Sequence, residues 1–207
     1  MSQRQHTETR YARRYERWAL PLRGRPRAVR ALGAANRLIV WLFYGAYGAL
    51  LVLVALGAPL DGVTSAGTGA GDAEGLALWG ATPIAARLAA MAALTFVPGA
   101  AFALLSAVRA RLNAPRPYER DGVVPLVPRD GSGRSFPSRH AFSAFAIASC
   151  WWALCPAVAV ALLVCACLLA VLRVFAGVHY PRDVIAGAFC GTVAGLCAAG
   201  LAVLLAC

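Results

Sequence analysis

An arginine, a histidine and an aspartate, Arg173, His179 and Asp183, interrupt an apolar stretch at intervals of six and four residues. Ionisable residues at a membrane boundary are costly and usually functional. A carboxylate that holds one ring nitrogen of a histidine leaves the other free to attack, and an arginine nearby can hold an anion. That trio reads as half of a phosphate-handling site. Two upstream clusters offer the other half: Arg109 with Arg116-Pro117 seven residues on, and Pro137-Ser138-Arg139-His140. Together the clusters hold two of the chain's three histidines, and Asp183 is the only acid after Asp130.

The elements that must position these residues are membrane spans. In 207 residues, 60% are hydrophobic and only 14% charged, too little polar surface for a soluble globule. All 20 basic residues are arginine, so an arginine where another protein has lysine carries little information. The seven cysteines all lie in apolar segments without metal-ligand spacing beside histidine, and read as small buried hydrophobes.

The expected fold is an all-α, polytopic membrane bundle of about five spans. Residues 38–60 carry no charge and can cross a ~30 Å hydrocarbon core as a helix. Residues 88–108 form the second span, with a kink expected at Pro98-Gly99. Residues 141–172 are 32 residues without a charge. Pro156 lacks the N–H that a helix interior needs, so the stretch divides there into a third and a fourth span. Residues 184–206 make the fifth, with Gly187, Gly191 and Gly195 as a close-packing face. The three clusters then face one membrane surface.

Two domains are expected: a basic cytoplasmic arm, 1–37, and a transmembrane domain, 38–207, with its motif core at 88–206. The arm holds ten arginines against Glu8 and Glu16 and has no apolar h-region of a cleavable signal peptide. Tyr11, Tyr15 and Trp18 recur among arginines at helical spacing. The arm is therefore either a helix on an anionic lipid surface or a disordered tail that sets topology. Nucleic acid is not an expected partner, because no folded reading module accompanies the charge. The loop 61–82 carries acids and no base, so the positive-inside rule places the arm and the clusters on the cytoplasmic side of a multi-pass cell-membrane protein.

The order and spacing of the clusters resemble the type 2 phosphatidic acid phosphatase superfamily. Its motifs are Lys-x6-Arg-Pro, Pro-Ser-Gly-His and Ser-Arg-x5-His-x3-Asp; this chain has Arg109-x6-Arg116-Pro117, Pro137-Ser138-Arg139-His140 and Leu172-Arg173-x5-His179-x3-Asp183. Three motifs in order with matching internal spacing are a specific signal. The departures are Arg109 for Lys, Leu172 for Ser, and Arg139 for a glycine that lets backbone N–H groups approach phosphate. The Arg139 side chain must point away or add a positive contact to a larger headgroup.

The resemblance implies a lipid phosphate phosphatase in which His179 takes the phosphoryl group, Asp183 holds its other nitrogen and His140 is the general acid-base. It also implies that Arg109, Arg116 and Arg173 bind the equatorial oxygens, with Ser138 and the backbone around Arg139 adding donors. Independently, Pro137-Ser138 before a span is a good helix start, and a helix N-terminus is an anion site. No metal or other cofactor is expected, since arginines stand in for one and there is no carboxylate cluster to hold it. Residues 123–127 are expected at the interface, beside the entrance. A lipid phosphotransferase using the same site, or a non-catalytic binder or transporter of anionic lipid, are the alternatives. The same arginines read singly are topology signals or snorkelling anchors; that reading is kept for Arg111, Arg120, Arg129, Arg134 and Arg182.

Overall fold

A computed structural model describes residues 9–60, 82–127 and 132–206. Its helices are α1 (Arg10–Arg23), α2 (Pro26–Ala55), α3 (Ile84–Leu112), the single turn α4 (Pro117–Arg120), α5 (Arg139–Cys150), α6 (Pro156–Phe175) and α7 (Pro181–Ala206). The acidic loop at 61–82 lies, apart from Thr82, outside the described residues, as do His6, Arg129 and Cys207.

Among the described residues, four helices are long and apolar enough to cross a bilayer: α2, α3, α6 and α7. Three of them start on a proline. Pro26, Pro156 and Pro181 each occupy the first turn, where the missing N–H leaves no helical bond unmade. The helices overrun the uncharged stretches that announce them: α2 begins twelve residues before Leu38, because arginines can sit on a helix end and reach water. It ends before Gly57, whose φ is 87°. Pro98 lies inside α3, which is one helix throughout.

The third expected span is shorter than the rest. α5 has 12 residues and runs into a 3-10 turn at Trp151–Ala153 before the chain reverses at Pro156. At about 1.5 Å per α-helical residue and 2 Å per 3-10 residue it rises ~24 Å, less than the ~30 Å hydrocarbon core. The break at Pro156 is where the sequence places it.

The bundle is apolar on its perimeter as well as in its interior. Leu38, Trp41, Phe96, Leu104, Phe189 and Leu204 are exposed on its perimeter. The interior is built from Leu50, Val54, Leu94, Leu169 and many alanines. Lipid tails compete with such contacts, so close approach of backbones has to hold the helices together. α7 supplies it: a β-carbon on Gly187, Gly191 or Gly195 would collide with the carbonyl oxygen of Ser138, Phe142 or Ala146 respectively. The glycine face therefore seats α7 directly on the backbone of α5.

Helix α1 packs over the loops at one end of the bundle. Thr9 caps it by accepting from the Ala12 N–H at 3.1 Å. Ala12, Tyr15 and Ala19 are buried against Val123 and Leu126. Arg10, Arg13, Arg14 and Arg17 are exposed on the opposite side. Of the predicted aromatic stripe, Tyr15 turns onto protein and Tyr11 stacks on Tyr180 with ring centroids 4.8 Å apart, while Trp18 stays 53% exposed. Packing against 123–126 offers the tyrosines a better site than water. Val123 and Leu126, expected at the lipid interface, are accordingly buried beneath α1, and Val124 is exposed.

Candidate active site

Arg109 sits in the last turn of α3, which Asn113 closes in the left-handed conformation. Its guanidinium is buried and donates to the carbonyls of Ser135, at 3.1 Å, and Pro137, at 2.6 Å. Arg116, at the start of α4, donates from Nε to the carbonyl of Gly133 at 3.0 Å. Glu119 completes the fastening: its two oxygens accept from the backbone N–H groups of Arg116 and Gly133, each at 2.7 Å. The first cluster thus grips the loop that carries the second.

That loop delivers Ser138, Arg139 and His140 to the N-terminus of α5. The Ser138 N–H donates to the carbonyl of Asp183 at 2.9 Å, joining the second cluster to the third. Its hydroxyl is fully buried and has no hydrogen-bond partner among the described residues. A donor left in that state at a helix N-terminus suits an anionic ligand. His140 Nδ1 lies 3.2 Å from Nη2 of Arg173. A guanidinium only donates, so this contact requires Nδ1 to be unprotonated and puts the ring proton on Nε2.

Arg173 is in the last turn of α6, and His179 lies in the short connection to α7. His179 is 1% exposed and Asp183 fully buried. Asp183 Oδ2 accepts from the Ser135 hydroxyl at 2.5 Å and from the Tyr180 N–H at 3.1 Å. His179 Nδ1 is 3.6 Å from the same oxygen and 3.5 Å from Ser135 Oγ. These separations are longer than well-formed hydrogen bonds. Burial pushes the pKa of His179 down to about 4, reinforced by the charges of Arg173 and Arg116 and opposed by Asp183. The ring is therefore neutral at pH 7.

Charge points the same way as geometry. Among the described residues, every buried polar or charged side chain except Ser149 belongs to this cluster. Three buried arginines, Arg109, Arg116 and Arg173, face one buried carboxylate, Asp183, a formal excess of 3 − 1 = +2. Buried charge is costly unless balanced, and a phosphate dianion carries the balancing charge. Arg139 differs from the rest: its side chain is exposed. It lines both an apolar groove of about 170 Å³, with His140, Phe43, Tyr44 and Phe102, and a polar cavity of about 210 Å³ beside Arg109 and Arg116.

Three participants have no motif to announce them. Ser135 takes the tightest bond to Asp183, yet nothing in the spacing separates it from a loop serine. Glu119 stands three residues after Arg116, the spacing of a capping pair, which is the signal that marks it. Tyr15 reaches the site from 160 residues away, donating to the carbonyl of Phe175 at 3.0 Å while accepting from the Leu126 N–H at 3.3 Å. Among the described residues no group of three or more His, Cys, Asp or Glu side chains is placed to hold a metal ion.

Comparison with known proteins identifies the family. The family model of the PAP2 superfamily matches residues 83–203, from the start of α3 nearly to the end of α7. The crystal structure of Aquifex aeolicus LpxE is 30% identical, covers 54% of this chain and 68% of its own, and superposes with a TM-score of 0.46. A transmembrane PAP2-type phosphatidylglycerolphosphate phosphatase from Bacillus subtilis is 20% identical over 92% of both chains, with a TM-score of 0.43. No curated protein sequence matches the chain significantly. With its helical membrane architecture and the family match over more than half its length, the chain belongs to the PAP2 superfamily.

Proposed function

We propose that the protein hydrolyses a phosphomonoester or diphosphate of a lipid through a phosphohistidine on His179. The observation that carries this reading is the buried pair His179–Asp183 set among three buried arginines, with the ring neutral and Nδ1 turned toward the carboxylate. Nε2 is then the attacking nitrogen. Its lone pair forms a bond to phosphorus as the bond from phosphorus to the lipid oxygen breaks, and His140 gives that oxygen its proton. Water next attacks the phosphohistidine, the P–N bond breaks, and His140 takes back a proton. The sum is lipid phosphate plus water to lipid alcohol plus phosphate.

The resting contact between Arg173 and His140 fits the following order of events. An incoming phosphate draws the guanidinium toward its own oxygens, where phosphoryl-transfer transition states carry charge, and so uncovers Nδ1 of His140 for the proton it must later give. Arg109, Arg116, Ser138 and the backbone N–H groups around Arg139 complete the contacts to the reacting phosphate. Charge neutralisation by guanidinium groups makes the reaction metal-independent in this reading. The apolar groove that begins at His140 holds the first part of the lipid chain.

The exposed arginines of α1 rest on anionic headgroups, and the site faces the cytoplasm on the positive-inside argument. A cysteine-free variant carrying Ser132→Cys tests the sidedness. Labelling in intact cells by a membrane-impermeant thiol reagent would reverse the orientation.

The central experiment is phosphate release by the detergent-purified protein over a panel of lipid phosphates, with and without chelator, beside His179→Ala. The expected results are chelator-resistant release, loss of activity in the variant, and an acid-labile phosphoryl adduct on the wild type after quenching. Release that survives the substitution, or that the chelator removes, would sink the mechanism. Transfer of the phosphoryl group to an added alcohol instead of water would identify a phosphotransferase.

A further inference from the structure

The polar cavity beside Arg139 lies next to the phosphate site and carries charge of its own. Its volume of about 210 Å³ is far above the ~10–15 Å³ that one water needs. Arg109 and Arg116 form the wall it shares with the buried cluster; Arg134 and Arg139 line it from the exposed side, and Ser106 and Ser132 add hydroxyls. No acid lines it. The adjacent Glu119 is turned to the backbone N–H groups of Arg116 and Gly133.

The backbone is shaped to present this charge. Gly133 and Arg134 both have positive φ, 60° and 54°. For an arginine that conformation is strained, so something must impose it. The constraints are visible: Gly133 is fastened through its N–H to Glu119 and through its carbonyl to Arg116, and a β-carbon there would strike the side chain of Asn113. Ser135 is held next, its N–H donating to the carbonyl of Ala114 at 2.8 Å. Arg134 is locked between two fixed neighbours. Arg139 reaches the same cavity from the first turn of α5, at the position where the family motif has glycine.

We infer that this cavity is a second anion subsite, formed by Arg134 and Arg139, that takes a further phosphate or other anionic group of the substrate headgroup. The inference rests on the phosphatase reading and deepens it. Because Arg109 and Arg116 border both places, the second group lies next to the first, and a lipid diphosphate is the simplest headgroup that fills both. The lipid chain leaves on the other side of Arg139, along the apolar groove at His140.

The test compares a lipid monophosphate and the diphosphate of the same chain, using the full-length protein in detergent. Wild type is expected to prefer the diphosphate by about tenfold or more in kcat/KM, and Arg134→Gln or Arg139→Gln to lower that ratio about five- to tenfold, the scale of one charge-assisted contact. Binding of both lipids to His179→Ala, with and without each arginine substitution, must show the same change in ratio. A ratio near one in wild type, or one that neither substitution moves, overturns the subsite. Inorganic phosphate separates the remaining source: if it inhibits wild type more than Arg134→Gln while the diphosphate has no advantage, the cavity binds a free anion and the headgroup assignment is wrong. Binding with this preference but no phosphate release from either lipid would sink the hydrolase reading and leave the subsite standing.

Discussion

The hydroxyl of Ser135 donates to Oδ2 of Asp183 at 2.5 Å, and the same carboxylate oxygen is 3.6 Å from Nδ1 of His179. A serine from the loop of one motif thus holds the acid of another. It leaves Asp183 only one orientation in which it can also serve the histidine.

Ser135 is therefore expected to act as a positioning residue. Ser135→Ala should lower kcat about ten- to a hundredfold with little change in KM, the pattern of an interaction completed only in the transition state. Ser135→Thr, which keeps the hydroxyl, should recover most of the rate. Equal losses in both variants would mean that the site responds to volume at this position and not to the bond.

The depressed pKa of His179 has a stability consequence with a definite sign. The folded ring titrates near 4 and the unfolded one near 6.5, so the unfolded state binds more protons between those values. Stability from this residue is complete above about pH 6.5, falls as the pH drops toward 4, and is level below that, a total on the order of 3 kcal/mol. Thermal unfolding in detergent should show the slope, and His179→Gln should remove it. The rate of phosphohistidine formation in a single turnover should likewise lack an acid limb near 6.5 arising from the nucleophile.

Gly191 is expected to be the least tolerant position of α7. A β-carbon there meets the backbone of Phe142, which cannot move without moving α5. Gly191→Ala should cost about 1–3 kcal/mol of stability by overpacking. It should also lower kcat, because α5 carries Ser138 and His140 while α7 carries Asp183. Gly200, with open space around the same construction, is the control: Gly200→Ala should change neither.

Tyr15 and Gly177 form a second contact of this kind. Gly177 has φ 75°, and a β-carbon there would approach the Tyr15 hydroxyl to 2.6 Å. Tyr15→Phe removes hydrogen bonds to Phe175 and Leu126 and should cost roughly 1–2 kcal/mol. Gly177→Ala should do more, by displacing α1 and straining the connection that holds His179. Protease cleavage within 10–23 should accelerate in both variants. Unchanged cleavage would show that these contacts do not keep α1 in place.

The legible part of this protein was the part written in runs and intervals. Uncharged stretches located α2, α3, α6 and α7, Pro156 divided α5 from α6, and fixed spacings pointed to Arg109, Arg116, His140, Arg173, His179 and Asp183. Helix ends were harder, since arginines such as Arg27 and Arg30 are carried on a helix that a charge-free window excludes. The inward turn of Tyr15 and the short rise of α5 depend on neighbours far along the chain, which no local pattern encodes. Ser135 was invisible for the opposite reason: a single hydroxyl in a loop of serines and glycines looks like solvent-facing turn chemistry until Asp183 is placed beside it.

The 12-residue length of α5 bears on how the protein meets membranes of different thickness. The helix that presents His140 does not itself bridge the two leaflets, and its depth is set by the glycine contact with the 26-residue α7. Swapping the surrounding lipids for longer or shorter acyl chains should tilt α2 and α3 before it shifts the reacting groups. Turnover should then vary little across reconstituted vesicles, even where the tilt of the outer helices does not.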